Sequence, residues 1–400
     1  MESKVFNGVL TVFLENHLDS SNIESVHEFV NEQIKATSAH EVVFDCAELK
    51  SISDEGLQMM LEVKKTCEVC AINVSNEIHD IMDKAKFTRA VLVRRVMRQI
   101  SVKDCEVIGT GASSLVYRFD DETMVKAFVP AVSLDRIYAE TESARKSLIA
   151  GINTAIPFDI CRYEDGYATI FELIEGGSLN KNFMEHPENF DELMDKYVAL
   201  LKHFHATPAK MGDFPDIRDK YHGWMDGLRK YMTDEEVSKL YELFDAIPFR
   251  QTMLHVDPHG GNIMYDKKND ELVFVDMADI SIGHPFVDIG TEYFHYMILP
   301  HTCLGGKLIF VVEPEPELPI RIWRELEKRY FAGKSEEEME VIHKMLRYYG
   351  AFRCLIIVAK HAQLPLENKM ELVEIQRKKL MPYIDEAKEL FARADEFFTD

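Results

Sequence analysis

Two periods of apolar residues run along the first hundred positions. Short runs of apolar and β-branched residues predict strands at residues 9–14, 42–44 and 70–74. Apolar residues three and four positions apart predict helices at residues 23–34, 53–63 and 77–86. Strands that alternate with helices indicate a small α/β domain over residues 1–100, with helices packed on a sheet.

The pattern changes near Ser101, where we place a domain boundary. Beyond it, residues 115–119 and 124–128 predict two strands joined by a polar turn. A helix at 137–150 and a buried strand at 169–174 follow, and Glu175-Gly176-Gly177 ends that strand. We therefore separate residues 101–175 from residues 176–400.

Residues 176–400 are mainly helical. An apolar stripe predicts a helix from Phe190 to His205, with His205 as a packed, hydrogen-bonded core residue. Helices are predicted again from Ile320 to Phe398, and residues 351–362 are so continuously apolar that they must be buried. One hairpin interrupts the helices, because the apolar runs 262–265 and 272–275 flank a polar turn.

Composition limits the class of protein. Of 400 residues, 46% are apolar and 29% charged, which is typical of a soluble globular chain with two or three domains. The net charge of −23 would repel a phosphate backbone and argues against a nucleic-acid partner. Seven scattered cysteines, no signal pattern and no apolar run near the ~18 residues of a membrane helix predict a cytoplasmic protein without a membrane span.

The hairpin carries the chemistry. Its closure should bring Asn262 and Asp276 side by side, and two oxygen ligands placed in this way suit Mg²⁺. Asp257, five residues before Asn262, should face the same spot as a carboxylate that can accept a hydroxyl proton. His259 should face the same loop and could touch a substrate.

A second group of residues suits a nucleotide. Gly109, Thr110, Gly111, Ala112, Ser113 and Ser114 form a small-residue turn whose backbone amides can approach phosphate oxygens. Lys126 lies in an otherwise apolar strand, where an ammonium needs a carboxylate or a phosphate as its partner.

These motifs resemble the kinase superfamily, whose H-x-D-x-x-x-x-N pattern is followed by a metal-binding aspartate. Residues 254–262 and Val275-Asp276 are similar to the aminoglycoside phosphotransferase and choline kinase group, and the likeness covers residues 105 to about 300. Val256, Pro258 and Gly260 depart from that pattern and should reshape the loop.

The resemblance implies an α+β bilobal fold with a largely helical second lobe, using Mg²⁺ and ATP, with GTP left open. It implies that Asp257 is the catalytic base and that His255 braces the loop of the metal aspartate. Lys126 would hold the nucleotide phosphates and pair with a helix glutamate; we prefer Glu142, with Glu140 as the alternative. The backbone from Glu172 to Ile174 would bind the adenine edge.

The first hundred residues resemble the STAS domains of anti-sigma factor antagonists, on the runs GVLTVF, HLDSSN and VVFDCAELKSISDEGL. In that family a serine at the start of the helix is phosphorylated to switch a partner. Asp54 stands at that position here, so either it only favours the helix dipole or it mimics a phosphorylated surface. Ser53 should cap the helix. The resemblance leaves room for a protein partner of this domain.

The sequence therefore predicts an ATP-dependent phosphotransferase that transfers the γ-phosphate to a hydroxyl of a small molecule. The acidic composition favours an amino-bearing alcohol or sugar, and neutral sugars stay open as acceptors. A protein kinase is the first alternative, but the segment between Asp276 and Asp288 is short and lacks an A-P-E motif. The second alternative is a partner-binding regulator that senses nucleotide.

Overall fold

The structure is a computed structural model that describes residues 2–6, 8–111, 113–164, 166–310, 312–360 and 364–398. It divides into two compact units. The first takes in residues 1–101 and 161–164, and the second takes in residues 102–160 and 165–400.

The first unit is a five-stranded sheet with three helices. Its strands are β1 (Glu2–Phe6), β2 (Val9–Leu18), β3 (Glu41–Ile52), β4 (Glu68–Val74) and β5 (Leu92–Arg95), and they lie side by side in chain order. Its helices are α1 (Ile23–Thr37), α2 (Asp54–Lys64) and α3 (Asn76–Lys84). β1 pairs antiparallel with β2. The other neighbouring strands are parallel, because a helix lies between each strand and the next along the chain.

The core of this unit lies between the sheet and its helices, with Val12, Phe44 and Met60 fully buried. Ser53 caps α2, because its side chain accepts a hydrogen bond from the Gly56 N–H at 3.2 Å, as predicted. Asp54, next to it, is exposed in the first helical turn.

The short strand β6 (Gln99–Ile100) pairs in parallel with Arg162–Tyr163. This pairing explains why residues 161–164 belong to the first unit.

The second unit begins with a sheet and one long helix. The strands are β7 (Val107–Thr110), β8 (Ser114–Arg118), β9 (Thr123–Phe128), β10 (Pro157–Tyr163) and β11 (Gly166–Glu172), ordered β10-β11-β9-β8-β7. The last residues of β10, 161–163, are those counted with the first unit. Helix α4 (Leu134–Ile149) contacts β11 and the turn Met277–Asp279. The predicted strand pair is confirmed: β8 and β9 are antiparallel, with Val116 opposite Lys126.

Two small two-stranded sheets follow in the helical part. β12 (Thr252–Leu254) pairs with β15 (Ser281–Gly283), and β13 (Ile263–Asp266) pairs with β14 (Glu271–Phe274). The second pair is the hairpin that the sequence predicted.

The helices of this part have one continuous apolar core. They are α5 (Leu179–Glu185), α6 (Phe190–Ala206), α7 (Ile217–Asp226), α8 (Asp234–Asp245), α9 (Phe286–Tyr293), α10 (Lys307–Phe310), α11 (Glu317–Tyr330), α12 (Glu336–Lys360), α13 (Leu366–Leu380), α14 (Ile384–Phe391) and α15 (Ala394–Phe397). Residues 351–358 of α12 are buried, as predicted, but residues 359 and 360 are only half-buried. Residues 361–363 lie outside the described part of the chain. None of the described helices is both long and apolar enough to cross a membrane.

Candidate active site

Lys126 joins two acidic groups that are far apart in sequence. Its Nζ lies 2.5 Å from Glu140 Oε1 on α4 and 3.0 Å from Asp276 Oδ1 after β14. Burial opposes the charge of Lys126, but the two carboxylates outweigh it and raise its pKa above the usual lysine value. Lys126 is therefore a fixed cation at the point where strand, helix and hairpin meet.

The structure corrects our choice of Glu142 as the partner of Lys126. Residues 140 and 142 differ by about 200° around a helix, so only one can face the sheet. Glu140 shares the buried face with Ile137 and Ala144, and Glu142 is exposed on the other side. Helical periodicity could have decided between them, since the apolar face of α4 is legible in the sequence.

The hairpin brings Asn262 close to Asp276. The Val275 N–H donates to the Asn262 carbonyl at 2.9 Å, and Asp276 follows directly with half of its side chain exposed. Asn262 donates its own Nδ2 to the Asp257 carbonyl at 3.0 Å, so its Oδ1 is the atom able to bind a cation. The charge of Lys126 is the main cause that lowers the pKa of Asp276 below its usual value. One ionised carboxylate and one amide oxygen fit the ligand preference of Mg²⁺.

Three basic side chains, those of His259, His295 and Arg353, surround Asp257. His295 Nε2 lies 3.2 Å and Arg353 Nη2 3.3 Å from Asp257 Oδ1, while His259 Nε2 lies 3.7 Å from Oδ2. Burial opposes ionisation of Asp257, but the hydrogen bond and charge of His295 outweigh it and hold its pKa well below the usual range. About a third of the Asp257 side chain remains exposed, at 34%. Asp257 is thus an ionised carboxylate that is held in place and still open to solvent.

His295 links Asp257 to a buried glutamate. Its Nδ1 lies 3.4 Å from Glu292 Oε1, and Glu292 also accepts a hydrogen bond from the Tyr197 hydroxyl. Tyr197 in turn contacts the Pro258 carbonyl at 3.0 Å, which returns the chain of contacts to the Asp257 loop. His295 lies in a π-helical turn, Phe294–Ile298, a rare geometry that often occurs at functional sites.

A buried carboxylate supports the loop from below. Asp288 is fully buried and accepts from the N–H groups of His255 at 2.8 Å and Val256 at 2.7 Å. It also lies 3.2 Å from His205 Nε2, so the prediction of His205 as a hydrogen-bonded core residue is confirmed. His255 Nε2 contacts the Val275 carbonyl at 3.1 Å, which braces the backbone beside Asp276 as expected.

The chain matches the models of two known families. Residues 104–306, just over half of the chain, match the model of the phosphotransferase enzyme family. The chain belongs to the phosphotransferase enzyme family. Residues 1–100 match the model of the STAS domain, so the predicted order of a STAS domain followed by a kinase-like phosphotransferase fold is confirmed.

The chain is also similar to several solved structures. The aminoglycoside phosphotransferase APH(2'')-Ib bound to ADP has 15% identity over 72% of this chain and 94% of its own, with a TM-score of 0.47. An ethanolamine kinase from Plasmodium vivax has 12% identity over 68% and 81%, with a TM-score of 0.44. An anti-sigma factor antagonist from Thermotoga maritima has 11% identity over 23% and 84%, with a TM-score of 0.22. No curated protein matches the chain significantly.

The residues that the sequence predicts to approach nucleotide phosphates lie at the turn between β7 and β8, in the sheet of the second unit. The turn between β7 and β8 is closed by a Gly111 N–H bond to the Ser114 carbonyl at 2.8 Å, and Gly109 and Thr110 end β7. Ser113 accepts a bond from the Val129 N–H at 2.9 Å through its carbonyl. The remaining residue predicted for this turn, Ala112, lies outside the described residues.

The segment predicted to bind adenine follows β11. The Glu172 N–H donates to the Ile156 carbonyl at 2.9 Å and the Leu173 N–H to the Glu122 carbonyl at 2.8 Å. These two N–H groups are therefore already used within the protein. Ile174 is buried directly after them.

Val256 is one of the departures from the family pattern. Where the family has glycine, this chain places a fully buried valine at φ 73°, a left-handed conformation that a β-branched residue rarely adopts. The bond from its N–H to Asp288 holds it there.

Sequence reasoning missed Arg353, His295 and Glu292. Arg353 is the one charged residue within the apolar run 350–358 of α12, and a lone charge in such a run was the available signal. His295 and Glu292 lie three residues apart in the apolar segment 286–299. Their spacing puts them on one helical face, but only the fold shows that this face meets Asp257.

Asp257, His259 and His295 also form a group that could hold a metal ion, since one ligand atom from each lies within 4.8 Å of the others. The Arg353 guanidinium beside Asp257 opposes a cation at this point. Burial lowers the pKa of His259 to about 3, so this ring is a neutral neighbour of Asp257. The pair Asn262 and Asp276 remains the better candidate for Mg²⁺.

Proposed function

We propose that this protein is an ATP-dependent phosphotransferase that transfers the γ-phosphate to a hydroxyl group of a small molecule. One observation carries the proposal: Lys126 binds Glu140 and Asp276 together, and Asp276 lies beside Asn262 in the loop system that also holds Asp257. A fixed cation, an oxygen-ligand pair and an ionised, part-exposed carboxylate are the parts that phosphoryl transfer needs.

In this reaction the phosphoryl group passes directly from the nucleotide to the acceptor, without a covalent enzyme intermediate. The acceptor oxygen attacks the γ-phosphorus, a new oxygen–phosphorus bond forms, and the bond from the γ-phosphorus to its bridging oxygen breaks. The nucleoside diphosphate leaves with that bonding pair, and the hydroxyl proton passes to Asp257 and then to solvent.

Each residue has one task in this scheme. Lys126 would neutralise the nucleotide phosphates, with Glu140 fixing its position, and the turn from Gly109 to Ser114 would cover them with backbone amides. Asn262 and Asp276 would hold Mg²⁺, which supplies charge neutralisation on the phosphates. Asp257 would orient the hydroxyl, and His295 would keep Asp257 ionised and in position.

The test is transfer of label from γ-labelled ATP, and separately GTP, to a panel of hydroxyl compounds with and without Mg²⁺. We expect Mg²⁺-dependent appearance of a phosphorylated acceptor. Nucleotide binding with no phosphorylated product across the panel would instead favour the nucleotide-sensing regulator.

We also propose that the STAS domain binds a protein partner. Asp54 and Glu55 are both exposed in the first turn of α2, at the position where related domains carry their switching serine. A pull-down that loses its partner on Asp54→Lys but keeps it on Lys64→Glu, a charge change at the other end of α2, would support this surface. Equal retention by both variants would contradict it.

A further inference from the structure

A second charged cluster lies beside the catalytic loop, and the nucleotide scheme does not use it. Asp279 is held between two lysines: its Oδ2 lies 2.9 Å from Lys360 Nζ, and its Oδ1 lies 3.4 Å from Lys220 Nζ. Trp224 closes one side, with the Lys360 Nζ 4.0 Å from its ring centre. Lys220 and Trp224 are one helical turn apart on α7.

The cluster is adjacent to the reacting groups. Asp279 ends the turn Met277–Asp279 that directly follows Asp276. Arg353 and Lys360 are seven residues, about two turns, apart on α12 and so share a face of that helix. Arg353 lies 3.3 Å from Asp257 Oδ1, so this face of α12 connects the cluster to the proposed base.

Positive charge is in excess at this point. Three cations, Lys220, Lys360 and Arg353, share two carboxylates, Asp279 and Asp257. The chain as a whole has 69 acidic and 46 basic residues, so a local cationic excess runs against its composition. Burial, together with the charge of Lys360, lowers the pKa of Lys220 despite the bond to Asp279. The charged form of Lys220 is therefore destabilised at this position.

The buried guanidinium of Arg353 independently favours the binding of an anion at this point. It is fully buried, and its Nε and Nη1 have no hydrogen-bond partner among the described residues. A buried guanidinium normally satisfies its donors, since each one left unpaired costs free energy. Within the described part of the chain, its third nitrogen makes two contacts, both to the Asp257 loop, at 3.3 and 3.4 Å.

We propose that Lys220, Lys360 and Arg353 form a cationic subsite that binds an anionic group of the acceptor. The inference rests on the proposed function and names its substrate class: a small alcohol that carries a carboxylate or a phosphate. The side chains of Lys220 and Lys360 are 20% and 21% exposed, so each is partly open to solvent. Arg353 is fully buried on the same helix as Lys360 and adds its charge, and Trp224, which lies against Lys360, offers an apolar wall to the carbon skeleton.

The reaction itself is unchanged: a hydroxyl of the anionic acceptor attacks the γ-phosphorus, its proton passes to Asp257, and the nucleoside diphosphate leaves. The anionic acceptor replaces the amino-bearing alcohol that the acidic composition favours, because the residues beside Asp257 carry more weight than the average charge of the chain.

The test uses four sugars that differ mainly in charge: glucosamine, glucose, glucuronate and glucose 6-phosphate. Transfer of γ-labelled phosphate and the shift in melting temperature with Mg²⁺ and ADP are measured on the same full-length protein. We expect glucuronate or glucose 6-phosphate to be bound and phosphorylated at least about tenfold better than glucose. The comparison of these two anionic sugars shows whether the subsite prefers a carboxylate or a phosphate.

Variants tie the preference to the subsite. Lys220→Gln and Lys360→Gln should each remove most of it, and Lys360→Arg should retain it. Lys196→Gln is the matched control, because Lys196 is also about a quarter exposed and paired with an aspartate, Asp270, on a different surface. A melting curve for each variant separates loss of binding from loss of fold.

The outcomes distinguish the two proposals. Anionic sugars that bind through Lys220 and Lys360 without any product would uphold the subsite and overturn the phosphotransferase. Product formed equally from glucose or glucosamine, or a preference for anions unchanged by both lysine variants, would overturn the subsite and leave the phosphotransferase standing. Absence of any anion-dependent binding or transfer would overturn the subsite.

Discussion

At the scale of single residues, the proposed chemistry depends on which side chains contact Lys126 and Asp257. Glu140 is buried against Lys126, whereas Glu142 is exposed on the same helix. Two residues of identical chemistry, about half a turn apart on α4, therefore provide a matched comparison.

Glu140→Gln should lower kcat/KM about 10- to 100-fold, because Lys126 loses the carboxylate that positions it. Glu142→Gln should change kcat/KM by less than about twofold, since it removes only a solvated surface charge. Steady-state kinetics of both variants checks this. A larger loss from Glu142→Gln would contradict the assignment of Glu140.

His295→Asn should move the pH dependence of kcat. In the native protein His295 holds the pKa of Asp257 well below its ordinary value of 3.8, so Asp257 stays ionised throughout the mildly acidic range. Removing this donor raises that pKa, and the acid limb of the kcat profile should shift to higher pH. A variant that loses activity equally at every pH would assign His295 a purely structural role.

At the scale of elements, the sequence predicted the hairpin, the strand pair β8–β9 and the buried part of α12, because each has a strong local pattern. It could not predict that the π-helical turn after α9 brings His295 to Asp257, since that contact joins segments with no shared local signal. The choice between Glu140 and Glu142 lay within reach of helical periodicity, whereas Arg353 needed the packing of α12 to acquire a role.

The buried carboxylate of Asp288 supports the loop that holds Asp257. Asp288→Ala would leave the buried N–H groups of His255 and Val256 without their acceptor and His205 without its partner. We expect a loss of about 3 kcal/mol in the free energy of unfolding, measured by denaturant titration. A change below ~1 kcal/mol would show that the loop is held by other contacts.

The cap of α2 gives an equivalent test in the STAS domain. Ser53→Ala should lower the stability of this domain by about 1 kcal/mol, because the Gly56 N–H loses its acceptor. Ser53→Asp restores an acceptor and should retain the native stability. Equal losses for both variants would argue against the cap.

At the scale of the whole molecule, each unit has its own hydrophobic core. One core draws only on residues 10–91 and the other only on residues 144–398. A chain that begins at Met97 keeps β6 and its pairing with β10, so it should fold and turn over Mg²⁺-nucleotide at a rate close to that of the full chain. A folded but inactive truncation would make the STAS domain part of the catalytic unit.

The most direct measurement of the central claim is the rate of phosphoryl transfer to an alcohol by the native protein and three variants. Asp276→Asn and Asp257→Asn should each lower this rate by about 10²-fold or more, because one removes the charged metal ligand and the other the hydroxyl's proton acceptor. Glu142→Gln should leave it unchanged. Full activity in either aspartate variant, with its fold confirmed by the melting curve, would contradict the account.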